Sequence, residues 1–144
     1  MMTVMEPQPA LDLVIALNRL TTSVARQIDR PLSGYHGVSL SDLALLLELQ
    51  RGDGRMQRVE LAEHLGITTS GLARQLQPLE RIGVVTRESH PTDARLALVV
   101  LTPAGRELAH DAARTAGESA AAVLDGRWTE ERQSQLAELV ASGR

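Results

Sequence analysis

VELAEHLG, ITTSGLARQLQPLERIG and VVTRESHPTDARLALVVL are three consecutive runs filling residues 59–101, and the fold class follows from their patterns. The first has the pattern of a short helix, with Val59, Leu61, Ala62 and Leu65 apolar and Gly66 as its stop. The second is a longer helix entered through Thr68 or Thr69, either of which can cap the free N–H groups of the first turn. The third is two β-rich runs around a polar tip that contains Pro91 and Asp93, the pattern of a hairpin. Two helices across a glycine-containing turn, followed by a hairpin, predict a winged helix-turn-helix. The expected class is therefore mainly α with a small β-hairpin wing (α+β).

The longer helix sorts its residues by angle. At about 100° per residue, Leu72, Leu76 and Leu79 fall within about 60° of one another and must face inward. Ser70, Arg74, Gln77 and Arg81 gather on the opposite side, and Glu80 lies off that outer face. Any surface helix has a polar face, but the second helix of a helix-turn-helix is the one that enters a DNA major groove. Pro78 interrupts the pattern. It removes the bond to the Arg74 carbonyl at a cost of roughly 3 kcal/mol and predicts a kink that bends the C-terminal end away from the groove.

Working outward, Leu13, Leu17, Leu20, Val24 and Ile28 form an apolar stripe on a first helix from about Ala10 to Arg30, ended by Pro31. A connector leads to Ser39, which caps a second helix with Asp42 three residues on. That helix, LSDLALLLEL, is apolar nearly all round and is expected at the centre of the core. Gly52-Asp53-Gly54 forces a turn. The strands are expected over Val84–Arg87 and about Arg95–Leu101, with turn chemistry from Ser89 to Ala94. Thr102 caps the next helix with Pro103 at its first position. That helix runs through Leu108, Ala112, Ala116 and Val123 until Asp125-Gly126. A last helix spans Glu130 to about Ala141 and carries Leu136, Leu139 and Val140. The terminal helices have little to do inside one subunit, and an Ala-rich face permits close approach, so they are expected to pair with a second copy.

The 144 residues suit a single domain. The chain has no cysteine, which excludes disulfides and thiolate metal sites. No apolar run approaches the roughly 18 residues of a membrane span. The opening MMTVMEPQPA lacks the charged start and apolar core of a signal peptide, so a cytoplasmic location is expected. The net charge of −3 argues mildly against nucleic acid, but its distribution matters. Between Ile67 and Arg106, Arg74, Arg81, Arg87, Arg95 and Arg106 stand against Glu80, Glu88 and Asp93, a local +2 on a body of −5. The local field governs docking on phosphates. Every basic residue is Arg, which suits forked contacts, although base composition of the genome explains it equally well.

The ordered set LAEHLGIT, Ser70-Gly71, Arg74, Leu76, Leu79-Glu80, GVV, Arg87, Pro91, Asp93-Ala94-Arg95, Leu101-Thr102 and Gly105 resembles the MarR family of bacterial regulators. The resemblance covers the helix-turn-helix and wing closely and the flanking helices in order and length only. It implies one domain over residues 1–144, with 39–102 as the DNA-binding region and 10–30 and 103–142 as dimerisation helices. It also implies a homodimer on double-stranded DNA, with Arg95 as a minor-groove arginine and Asp93 as the carboxylate that holds it. A narrow minor groove concentrates negative potential and attracts an inserted guanidinium. An exposed ion pair worth at most about 1 kcal/mol is the plainer explanation of the two. On the helix, Arg74 is the candidate base contact, since its fork matches O6 and N7 of guanine. Thr69, Ser70 and Gln77 would add hydrogen bonds to base or phosphate, and Arg87 would serve phosphate or a charge network within the wing. Family members are mostly repressors released by a small ligand bound between the two regions.

Nothing resembles a catalytic centre, so no enzyme, cofactor or metal is expected. His36, His64, His90 and His110 are scattered. Glu60 and His64 sit one helical turn apart, as a metal pair would, but a solvated helix face explains them. Tyr35 and His36, at the junction of the first two helices, are candidates to line an effector cavity or to serve as loop packing. The acidic balance leaves one alternative from another class, a winged helix that docks a protein and does not bind DNA directly.

Overall fold

A computed structural model describes residues 4–143, so Met1, Met2 and Thr3 of the opening stretch and Arg144 lie outside it. The elements in order are α1 (Pro7–His36), α2 (Leu40–Arg51), β1 (Arg55–Gln57), α3 (Arg58–Leu65), α4 (Thr69–Arg81), β2 (Val85–Ser89), β3 (Ala97–Leu101), α5 (Pro103–Asp125) and α6 (Glu130–Ser142). The core gathers on α2, as its composition predicts. Ser39 and Asp42 cap it reciprocally, and Leu43, Leu45, Leu46 and Leu49 are all buried. Leu32 from α1, Leu61 from α3, Leu72, Leu76 and Leu79 from α4, Val85 and Val99 from the sheet, and Ala109 and Ala112 from α5 join them in one apolar cluster.

One expectation about α1 needs correcting. The helix does not end at Pro31 but continues to His36. An internal proline forfeits one backbone bond, while Leu32, one turn beyond Ile28, becomes fully buried by continuing. The helix then stops at Gly37, whose φ of 69° lets its N–H close on the Ser33 carbonyl. The apolar stripe is also only half used. Ile28 is buried and Leu20 and Val24 partly so, whereas Leu13 and Leu17 are 48% and 47% exposed.

The sheet has a strand that the hairpin pattern did not show. Its order is β1-β3-β2, all antiparallel, with Met56 opposite Val99 and Arg87 opposite Val99 from the other side. Asp53 at φ 58° and Gly54 at φ 84° turn the chain into β1, and the Gly54 carbonyl accepts from the Leu101 N–H at 2.7 Å. As the middle strand, β3 is buried from Leu98 to Leu101. The outer strand begins one residue later than expected and runs two further, and β3 starts at Ala97 rather than Arg95. The delay has a cause: the Leu96 N–H donates to the Asp93 carbonyl and its own carbonyl accepts from the His90 N–H, which commits Leu96 to the tip. Leu96 and Val59 are exposed.

The joint between wing and α5 is tight. The Thr102 hydroxyl donates to the Gly83 carbonyl at 2.7 Å and accepts from the Gly105 N–H at 3.0 Å. A Cβ on Gly105 would run into the Val84 carbonyl, so only glycine permits this approach. No residue of α6 is buried, and Leu139 and Val140 lie open. Among the described residues no helix is long and apolar enough to cross a membrane.

Candidate nucleic-acid interface

The first turn of α4 is set by Thr68, whose hydroxyl accepts from the Gly71 N–H at 3.0 Å; Thr69 is already helical. Leu72, Leu76 and Leu79 anchor the helix, and Ser70, Arg74, Gln77 and Arg81 are exposed on the far side. Pro78 falls in the last turn, so one bond is lost and the helix runs on as one element to Arg81. The Ile82 and Val84 N–H groups close it by donating to the Pro78 and Leu79 carbonyls.

At the wing tip, Asp93 organises Arg95 three ways. Its Oδ1 accepts from the Arg95 backbone N–H at 3.0 Å and from Nε at 3.1 Å, and its Oδ2 accepts from Nη2 at 3.2 Å. This fork fixes the guanidinium plane, yet the Arg95 side chain is 90% exposed. The same hydrogen bonds hold the Asp93 carboxyl below its ordinary value of 3.8. His90 completes the tip by accepting from the Thr92 N–H at 3.2 Å.

Arg87 is paired through one of its three nitrogens. Its Nε donates to Glu80 Oε1 at 2.6 Å, which ties β2 to the flank of α4. Across the sheet, Arg55 lies 3.6 Å from Glu88. By contrast Arg58, Arg74 and Arg81 form no ion pair among the described residues. Thr69, Ser70 and Ala73 of α4, Gln57, Arg58 and Val59 at the start of α3, and Arg95, Leu96 and Ala97 of the wing line one open groove. The structure thus brings Thr69, Ser70 and Arg95 together, sets Arg74 and Gln77 on the adjoining outer face, and pairs Arg87 with Glu80. Arg58 was missed by sequence reading. No local signal marked it: β1 is only three residues long, and its pairing with β3 is what sets Arg58 at the head of α3.

The other candidates are placed elsewhere. Tyr35 occupies the last turn of α1 and is 81% exposed. His36 Nε2 lies 2.7 Å from the Thr115 hydroxyl of α5. Both are helical, so neither belongs to a loop. An apolar cavity of about 290 Å3 lies higher on α1, lined by Leu20, Val24, Leu40, Leu124, Trp128 and Leu136 among others, and neither Tyr35 nor His36 reaches it. His64 meets Glu48 of α2 at 2.8 Å rather than Glu60, and the described residues hold no group of three metal-ligating side chains.

A capped helix with a free polar face, set beside a wing tipped by a forked arginine, is the architecture of a winged helix-turn-helix protein. The sequence model of the MarR family matches residues 36–96. The HTH-type transcriptional regulator ML2140 of Mycobacterium leprae is 36% identical over 109 residues, 76% of this chain and 72% of that protein. YdgJ of Bacillus subtilis, also an HTH-type transcriptional regulator, is 38% identical over 71 residues, 49% of this chain and only 43% of YdgJ. Among solved structures, Sco3205, a MarR family transcriptional regulator from Streptomyces coelicolor crystallised in complex with DNA, superposes with a TM-score of 0.81. It is 27% identical, with 99% of this chain and 91% of that one covered. The chain belongs to the MarR family, whose members are transcriptional regulators and not enzymes.

Proposed function

We propose that this chain is a sequence-specific DNA-binding repressor, that it acts in the cytoplasm as a homodimer on an inverted-repeat operator, and that a small ligand releases it. The observation that carries the reading is the shared groove in which Arg95 of the wing stands beside Thr69 and Ser70 of α4. On a duplex, α4 enters the major groove, where Arg74 reads guanine and Gln77, Thr69 and Ser70 bond to bases or phosphate. Arg95 then enters the neighbouring minor groove, held in position by Asp93. Arg58, at the back of the groove, is a further phosphate contact. Dimerisation falls to the surface left open by the fold. Leu13, Leu17, Val14 and Ile15 on α1 and Leu139 and Val140 on α6 are all exposed, an apolar expanse of the kind that marks an interface. The apolar cavity beside Trp128 suits a small apolar effector better than the Tyr35–His36 corner does.

The test is to select a binding site from random-sequence duplexes and follow affinity against salt by fluorescence anisotropy. DNA binding through phosphates is expected to give a steep fall of log K with log salt. A selection that enriches no sequence, together with a flat salt response, would overturn the reading. That outcome would favour a protein-docking winged helix, to which the net charge of −3 points.

A further inference from the structure

A chain of short polar contacts runs from α1 to α4 through the first turn of α2. Asp29 Oδ1 on α1 accepts from the Leu40 N–H at 2.6 Å. One residue earlier, the Ser39 hydroxyl accepts from the Asp42 N–H at 3.1 Å, and Asp42 Oδ2 accepts from the Ser39 N–H at 3.0 Å. Capping α2 needs only that one oxygen of Asp42. The other, Oδ1, accepts from Gln75 Nε2 on α4 at 3.2 Å, and both side chains are part-buried. The N-terminus of α2 favours the charged carboxylate, and a bond to an ionised acceptor is roughly twice as strong as a neutral one.

The place of Gln75 on its helix gives this contact a meaning. It lies about 60° from Leu72 and about 100° from Arg74, on the flank turned to α2. The three buried leucines hold α4 down, but apolar packing is non-directional. A directed bond on the flank fixes the rotation of the helix about its own axis.

We propose that Asp42 is a positioning residue for DNA recognition. Through Gln75 it sets the angle at which α4 presents Ser70, Arg74 and Gln77, while the neighbouring Leu40–Asp29 bond ties the same turn of α2 to α1. This rests on the DNA-binding reading above.

Gln75→Met removes the donor at nearly constant volume and leaves the α2 cap intact. The fold is expected to stay intact with a melting temperature only a few degrees below the parent's, while affinity for the selected duplex falls about tenfold and amide exchange over Leu72–Leu79 quickens. Gln75→Glu, which sets two carboxylates face to face, is expected to lose more. Adding Asp42→Asn to Gln75→Glu exchanges donor and acceptor, restores the net charge and still leaves an oxygen for the Ser39 N–H. That pair is expected to recover affinity to within about threefold of the parent. Parent-like affinity and exchange in Gln75→Met would overturn the proposal, as would an exchanged pair that melts like the parent but recovers neither. A parent that binds no duplex would sink the DNA reading and with it the recognition role, whereas amide exchange in the same variants would still show whether the Asp42–Gln75 contact holds α4.

Discussion

Arg95 combines an exposed charge with a fixed direction. Its guanidinium is open to solvent and yet held by both oxygens of Asp93. Arg95→Ala is therefore expected to leave melting and dimerisation unchanged and to weaken duplex binding at least about tenfold, ~1.4 kcal/mol, by anisotropy. The pair also has a defined acid limit. Because folding lowers the Asp93 pKa, its contribution is fully present above the unfolded value and is lost only as pH falls through the lowered one, beneath 3.8. No pH dependence from this pair is expected near neutrality. In Arg95→Ala the Asp93 carboxyl should titrate closer to 3.8, which a carbon-13 NMR titration reads directly. Arg74→Ala is expected to relax preference at one base position per half-site by about 1–3 kcal/mol, measured by repeating the selection. The Asp93–Arg95 pair was legible through the family resemblance of the tip, and its fork closes within three consecutive residues. Arg58 was not, since its place depends on a strand pairing forty residues away.

Among the elements, legibility follows length and amphipathicity. The leucine stripe of α4 and the Thr102-Pro103 entry to α5 are local signals, and the structure reproduces both. At three residues, β1 is too short to carry a period, and only its pairing with β3 makes it a strand. The passage of α1 through Pro31 depends on where Leu32 is buried, which no window of sequence contains. Gly105 tests the joint between wing and α5. Gly105→Ala is expected to destabilise the fold by about 1–3 kcal/mol in chemical denaturation, because the methyl group meets the Val84 carbonyl, a backbone atom that cannot turn aside.

At the scale of the whole molecule, one subunit leaves its apolar N-terminal half of α1 and all of α6 without a buried residue. Leu17→Glu is expected to convert a dimer into monomers at micromolar concentration in sedimentation equilibrium, with α2 and the sheet intact by circular dichroism. In the proposed dimer two copies hold a pair of wings at the pitch of DNA. The absence of cysteine allows one direct measurement. Thr92→Cys at the exposed tip of the wing, labelled with an iron chelate, cuts the DNA that the wing touches. Two cleavage clusters are expected in minor grooves, placed symmetrically about the centre of half-sites ~10 base pairs apart. A single cluster, or cutting spread evenly along the duplex, would contradict that dimer.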